Sequence, residues 1–402
     1  MTLTIDRDLQ RATAEALSDA FNYAAANWAQ YSPGGAAIVM DVNTGAILAL
    51  ASYPGFDPAL FDPNSAIPSD DRINAINALS TSQLRQPLRN HATQDQYFPG
   101  STFKIITTAA TANEDLISPT ELFNCDLRWD GRPYGDTREF RIDWRSTDGL
   151  DPAGEITISQ ALAASCNPFF YQFGALLYRD VGFQALMDYA RRMGLGAATG
   201  LAPVMQEADA ELPTIDNPEE AIMSAVGQYD VQVTAIQMVR MMAGVANGGT
   251  LYRPYIVQQV GGVDGQPVTF EAEPTVVGNM DFAPEVYQVI RDGLCLATTD
   301  ETLGTSWFVF EDMPYTVCGK TGTAQTGTPY PNGWFVAYAP ADDPQVAIIA
   351  VVPNSREGSE TAAPIVRRIL DHYFNAPIAD FPDWWFNNTY NVLDLPEGST
   401  GG

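Results

Sequence analysis

The period of the apolar positions changes several times along the chain. Between Thr4 and Trp28 they fall at Leu9, Ala12, Ala16 and Phe21, the spacing of one helix face. From Gly34 to Ser52, two short apolar runs (Ala36 to Met40 and Ala46 to Leu50) flank Asn43-Thr44-Gly45, which predicts a β-hairpin. Residues 53–100 are rich in Pro, Asp and Asn and read as a long connection. Ser101 to Asn113 reads as a buried helix, and 119–155, which mixes charge, glycine and aromatic residues, as an irregular insertion. Thr157 to Met193 is expected to be helical with an interruption near Asn167-Pro168. Val231 to Ala246 is another expected helix, closed by Asn247-Gly248-Gly249, and Glu285 to Ala297 a further one. Strand patterns return at Tyr315 to Gln325, Gly333 to Ala339 and Val346 to Pro353, before a helix over Ala362 to Phe374. Residues 376–402 carry Pro, Trp and a Gly-Ser-Thr-Gly-Gly end, and read as a packed extension followed by a frayed tail. Strands at both ends with helices between them predict an α+β fold: one sheet with a helical insertion.

At 402 residues the chain has room for two or three lobes. It carries 21 Lys+Arg against 49 Asp+Glu, a net charge of −28, so nucleic acid and anionic lipid surfaces are poor partners. No apolar run approaches the ~18 residues of a membrane helix, and the opening Met1-Thr2-Leu3-Thr4-Ile5-Asp6 has neither the basic nor the apolar region of a signal peptide. His91 and His372 are the only histidines and lie far apart, which argues against a Ser-His-Asp centre and against a histidine-based metal site. Cys125, Cys166, Cys295 and Cys318 show no CxxC spacing. They permit disulfides without demanding them.

Of the 21 basic residues only Lys104 and Lys320 are lysines. Arginine stays protonated wherever it sits, whereas burial can depress the pKa of a lysine, so two surviving lysines mark two places where a proton can move. A genome-wide preference for arginine accounts for the depletion, but not for both survivors lying beside Ser or Thr and Gly. Lys104 closes Pro99-Gly100-Ser101-Thr102-Phe103-Lys104, where Pro-Gly marks a helix start and places Ser101 at the positive end of the helix dipole. Three residues on, the Lys104 amine shares a helix face with the Ser101 hydroxyl, and no other charge occurs up to Asn113. To act as a base at neutral pH, that amine must lose roughly three pKa units, about 4 kcal/mol. Ser165-Cys166-Asn167 interrupts an apolar helical stretch, and read alone it is a short polar turn. Gly319-Lys320-Thr321-Gly322-Thr323 follows a strand pattern. Its glycines allow close backbone approach, while its hydroxyls and amine suit a carboxylate. The spacing excludes a phosphate-binding GxxxxGK[ST] loop.

Taken in order, Ser101 to Lys104, Ser165 to Asn167 and Lys320-Thr321-Gly322 match the S-x-x-K, S-x-N, K-T-G set of the penicillin-interactive enzymes. The chain resembles the transpeptidase module of a class B penicillin-binding protein, most like the penicillin-binding protein A type, over nearly its whole length. Leu3-Thr4-Ile5-Asp6, Ala46 to Pro54, Gln232 to Gly249 and Asn332-Gly333-Trp334-Phe335 carry the likeness beyond the motifs. Cys166 stands in place of the commoner middle residue, and Tyr229 where the family often has glycine. The resemblance implies a β-lactamase/transpeptidase-like fold. Its five-stranded antiparallel sheet would come from 1–70 and 285–375, with a mostly helical part over 71–284 and an extension over 376–402. It implies Ser101 as nucleophile, Lys104 as its base and Ser165, linked to both lysines, as the proton relay. Asn167 would hold the peptide amide, Lys320, Thr321, Gly322 and Thr323 the substrate carboxylate, and the Ser101 and Thr323 N–H groups the oxyanion.

It further implies D,D-transpeptidation of peptidoglycan stem peptides, inhibition by β-lactams, no cofactor and no metal. A membrane glycan polymerase would be a partner through an anchor region outside this sequence, at the outer face of the cytoplasmic membrane. The rivals are a D,D-carboxypeptidase, a serine β-lactamase or a non-catalytic β-lactam sensor. No Glu-x-x-Leu-Asn pattern supports the lactamase. Cys295, late in a helix, and Cys318, on the strand before Lys320, either pair or remain two buried thiols.

Overall fold

The structure is a computed structural model and describes residues 1–82, 85–262 and 267–386. Helix α1 (Arg7–Tyr23) begins where Asp6 accepts hydrogen bonds from the N–H groups of Asp8 and Leu9, and it buries the stripe Leu9, Ala16, Leu17, Ala20 and Phe21. It starts three residues later and stops five residues earlier than the apolar pattern suggests, because Trp28 sits in a separate short turn, Trp28–Gln30. The hairpin forms as β1 (Gly35–Asp41) and β2 (Ile47–Tyr53). Helix α2 (Lys104–Asn113) follows one tight turn, Gly100–Phe103, and α3 (Ile158–Ala163) and α4 (Asn167–Leu176) flank the Ser165 turn. Helix α5 (Ala235–Ala246) opens on a Thr234–Gln237 capping box. Then come α6 (Pro284–Thr299), β3 (Cys318–Ala324), β4 (Asn332–Ala339), β5 (Val346–Val352) and α7 (Ala362–Tyr373).

The five strands form one antiparallel sheet in the order β3-β4-β5-β1-β2. Both faces are covered, so its central strands are apolar at nearly every position. Trp334, Val336, Tyr338, Ile349 and Ile38 point to the helical side with α5, while Phe335, Ala337, Ile348 and Val39 point to the side covered by α1 and α7. That alternation splits one run of hydrophobic residues between two cores. The extension packs as expected as far as it is described: Trp385 is buried, edge-on to Trp28 at 5.1 Å. The expected frayed tail lies outside the described residues.

Besides short strands the pattern did not predict, at Thr2–Leu3 and between Thr250 and Asn279, two regions near the site differ from the sequence pattern. The connection 53–100 contains a helix, Ser69–Thr81, that buries none of its residues. Its apolar side chains, Ile73, Ile76 and Leu79 among them, stay at least partly exposed and join no core. The insertion 119–155 is ordered into two small hairpins, Phe123–Cys125 with Gly154–Ile156 and Arg128–Trp129 with Arg141–Ile142, followed by the helical turn Trp144–Thr147. Both cysteine pairs are bonded: Cys295–Cys318 ties α6 to β3, and Cys125–Cys166, which the sequence did not single out, ties the insertion to the turn before α4. Thiol titration of the denatured, unreduced protein is therefore expected to find no free cysteine, and four after reduction. Four thiols before reduction would contradict the pairing.

Candidate active site

Ser101 lies on the tight turn Gly100–Phe103 that leads into α2. Three glycines allow that turn to press against its neighbours. Gly100 has φ +52, its N–H donates to the Gly227 carbonyl at 3.0 Å, and a Cβ there would meet the Thr323 carbonyl at 2.7 Å. A Cβ on Gly227 (φ +71) would meet the Gly100 carbonyl oxygen at 2.1 Å, and one on Gly322 the Pro99 oxygen at 2.8 Å. Trp334 on β4 adds a clamp, donating from Nε1 to the Phe98 carbonyl at 3.0 Å. The Ser101 turn is thus held against β3 by backbone contact, which only glycine permits. Tyr229, in the neighbouring loop, adopts the left-handed conformation at φ +65 that glycine takes without strain.

The chain breaks between α3 and α4 at Ser165, with φ +53, rather than at Pro168, which sits in the first turn of α4. This reversal turns the Ser165 carbonyl, the Ser165 hydroxyl and the Asn167 side chain toward the Lys104 amine. Nζ lies 2.8 Å from Ser165 O, 3.1 Å from Ser165 Oγ and 2.6 Å from Asn167 Oδ1. The two amide oxygens can only accept, whereas the hydroxyl can also donate. The cage therefore suits a neutral amine as well as an ammonium. Lys104 is fully buried, with the Phe170 ring 5.1 Å away. Burial, and then Lys320, hold its pKa well below the usual lysine value, while Asp143 opposes them.

Lys320 is equally buried, and its amine donates to Thr321 O at 3.1 Å and Thr321 Oγ1 at 3.4 Å. Burial brings its pKa down to about 7 against a weaker pull from Glu357. The expected link from Ser165 to both lysines is made to Lys104 alone; among the described residues, Lys320 bonds along its own strand. Two like charges in a dry wall repel, and this arrangement keeps them out of direct contact.

Ser101, Ser165, Asn167, Thr321 and Thr323 line one cleft of about 1250 Å³, and the two lysines lie behind its wall. The Ser101 hydroxyl makes no hydrogen bond among the described residues and is left free in the cleft. Thr321 Oγ1 meets Thr305 Oγ1 at 2.9 Å. Gly322 sits inside the β3 strand as the contact point for Pro99 rather than on the cleft. Sequence reasoning missed two carboxylates. Asp143 is buried behind Asn167, accepting from its N–H at 2.8 Å. Glu357 lies on the cleft wall, where burial and then repulsion by Glu360 and Asp148 push its pKa up to about 7. Neither has a motif spacing: Asp143 shows only the helix-cap pattern before Trp144, and Glu357 only precedes a helix. Both histidines stand outside this cleft.

The family model for the penicillin binding protein transpeptidase domain matches residues 35–371. The chain belongs to the penicillin-binding protein transpeptidase family. It is 30% identical over 348 residues to the peptidoglycan D,D-transpeptidase PbpA of Mycolicibacterium smegmatis, which covers 84% of this chain and 66% of that protein. It is 28% identical over 401 residues to the peptidoglycan D,D-transpeptidase MrdA of Haemophilus influenzae, covering 93% and 56%. The chain thus spans little more than half the length of that relative. Among solved structures it resembles penicillin-binding protein A of M. tuberculosis as an imipenem acyl-enzyme, with a TM-score of 0.77 at 27% identity, covering 92% of this chain and 79% of that one. A chain of a peptidoglycan synthase complex gives a TM-score of 0.79 at 31% identity, covering 93% and 63%. The expected fold and family are those found.

The low Lys320 pKa has a measurable consequence. The folded chain releases this proton at about 7 and the unfolded chain at 10.5, so stability rises with pH across that window. Lys320→Met removes the group from both states. Its stability advantage, read by denaturant unfolding, is expected to be largest at pH 7 and to shrink by about 1.4 kcal/mol per pH unit toward pH 10. An advantage independent of pH would contradict the burial argument.

Proposed function

We propose that this chain is a serine D,D-transpeptidase that cross-links peptidoglycan stem peptides and is inhibited by β-lactams. The observation that carries the reading is the Lys104 amine, buried and held by Ser165 and Asn167, three residues from a free serine hydroxyl in a cleft. Ser101 Oγ attacks the carbonyl between two D-alanines while Lys104 takes its proton. Ser165, hydrogen-bonded to Lys104, returns a proton to the departing D-alanine. Asn167 orients the peptide amide. Lys320, Thr321 and Thr323 face the terminal carboxylate, with Gly322 keeping their strand against the nucleophile turn. The N–H groups of Ser101 and Thr323 stabilise the oxyanion, worth about 3 kcal/mol per donor. An amine on a second strand then attacks the acyl-enzyme.

No metal or cofactor enters this scheme. The module would act at the outer face of the cytoplasmic membrane, beside a membrane glycan polymerase. Its two disulfides fit an oxidising compartment outside the cytosol.

One observation favours a second reading. Glu357, half-ionised near neutral pH on the cleft wall, suits activation of water, which would make the protein a carboxypeptidase or β-lactamase. Intact-protein mass spectrometry after penicillin addition separates the two. A long-lived penicilloyl adduct, absent from Ser101→Ala, is expected of the transpeptidase. Rapid turnover that Glu357→Gln converts into a trapped adduct would favour the hydrolase, and full adduct on Ser101→Ala would overturn both.

A further inference from the structure

Asp143 has no part in the scheme above, yet it occupies an unusual position. It is fully buried, on the short link between Arg141–Ile142 and the helical turn Trp144–Thr147. A buried carboxylate needs hydrogen bonds or a cation to stay charged. Its oxygens accept two backbone N–H groups, from Arg145 at 3.0 Å and from Asn167 at 2.8 Å, and among the described residues no side-chain cation bonds to it. Burial raises its pKa above the ordinary carboxylate value, opposed by those two N–H groups and by the cations facing it, Lys104 from α2 and Arg145 from its own turn. Asp148, at the end of that turn, and the Tyr171 hydroxyl on α4 face it as well.

The segment around Asp143 also grips the turn that cages Lys104. Trp144 Nε1 donates to the Ala164 carbonyl at 3.1 Å, Asp143 holds the Asn167 N–H, and the Cys125–Cys166 disulfide closes the third side. A carboxylate oxygen of Asp143 lies within 4.8 Å of both sulfurs. The Asp143 N–H in turn donates to Leu127 O at 2.9 Å, which anchors the link to the insertion hairpin. Backbone placement of Ser165 and Asn167 and the electrostatic field at Lys104 therefore meet in one side chain.

We propose that Asp143 is a positioning residue for acylation: it fixes the Ser165–Asn167 turn through the Asn167 N–H, and its charge supports the ammonium that Lys104 becomes. This rests on Lys104 acting as base to Ser101. In that step the Ser101 O–H bond breaks, Oγ bonds to the substrate carbonyl carbon, and the proton moves to Lys104 Nζ. The resulting ammonium is repelled by Lys320 and poorly solvated, and among the described residues Asp143, behind the cage, is the anion that opposes this. Burial and Lys320 make the amine available as a base; Asp143 keeps it basic enough to accept the proton.

The composition supplies a clean test. With only two lysines in the chain, lysine labelled with ¹³C at Cε gives two resonances, and Lys320→Met assigns them. In Asp143→Asn, which keeps size and one acceptor oxygen, the Lys104 resonance is expected to titrate about one pH unit lower than in the wild type, with Lys320 moving less. The acidic limb of penicillin acylation should shift with it, and the plateau rate should fall by up to about tenfold. A uniform fall in rate with no movement of the Lys104 titration would leave Asp143 a purely structural cap and overturn the inference. Should Asp143→Asn not fold, the wild-type Lys104 resonance decides: a second inflection as Asp143 ionises supports the coupling, and a single transition refutes it. The resonances need no substrate, so a wild type that takes no penicillin adduct would sink the transpeptidase reading while leaving this outcome readable.

Discussion

Two amines buried without a contacting carboxylate are the constraint around which this structure is arranged. Burying an isolated charge is among the most unfavourable steps in folding, and the usual remedy is a direct ion pair. Elsewhere the chain uses that remedy, as where buried Arg367 bonds both Asp371 and Asp312. At Lys104 and Lys320 it does not. Their nitrogens meet carbonyl and hydroxyl oxygens, partners that hold an amine in place without fixing its charge. The result is a pair of lysines whose pKa values burial depresses, that of Lys320 to about 7, a shift arginine does not undergo.

Keeping such a wall dry needs close packing, and here it is achieved mainly by backbone. The Ser101 turn, the Gly227 turn and strand β3 meet through Gly100, Gly227 and Gly322, where a single methyl group would collide with a carbonyl. Gly358 repeats the device below, since its Cβ would fall 2.0 Å from the Trp334 carbonyl and 2.6 Å from that of Gly322. Behind these contacts the sheet is apolar on both faces, so the strand carrying Lys320 has no freedom to slip: a one-residue shift would exchange the contents of two cores. A rigid sheet thus fixes one lysine, and a tight turn packed on it fixes the other.

The parts of this design legible in the sequence are those with local periodicity or local spacing. Striped helices such as Arg7–Tyr23, the Gly-bounded hairpin and the continuous apolar run of Val346–Val352 announce themselves, and the three short motifs name the residues that the cleft gathers. What escaped notice depends on tertiary approach. Ser69–Thr81 buries none of its residues, so its few apolar positions mark no core face. Cys125 lies in an insertion whose strands are two or three residues long, and its partner Cys166 is 41 residues further on, outside it. Asp143 and Glu357 look like ordinary acidic residues in a chain with 49 of them, and only their surroundings set them apart. The break at Ser165 was placed near its true position, but the cause lies in a left-handed serine held by the lysine rather than in the proline that follows.

The strong negative charge bears on how such a site captures its substrate. A chain at −28 repels an anionic peptide at long range, though salt confines that field to about 8 Å from the surface. Inside the cleft the balance is local. Arg138 and Arg141 line one wall and are already engaged by Asp136 and Glu219, and Asp148, Glu357 and Glu360 lie along the rest. Lys320 is then the cation without a bonded carboxylate nearest the Thr321 and Thr323 hydroxyls. With a pKa of about 7 it is only part-charged at neutral pH, and a carboxylate brought beside it favours its protonated form. Under the proposed function, a substrate carboxylate would thereby recruit the charge that binds it, and an uncharged ligand of the same shape would not. On that reading, selectivity for a free carboxylate end would follow from burying a lysine where an arginine would have been charged from the start.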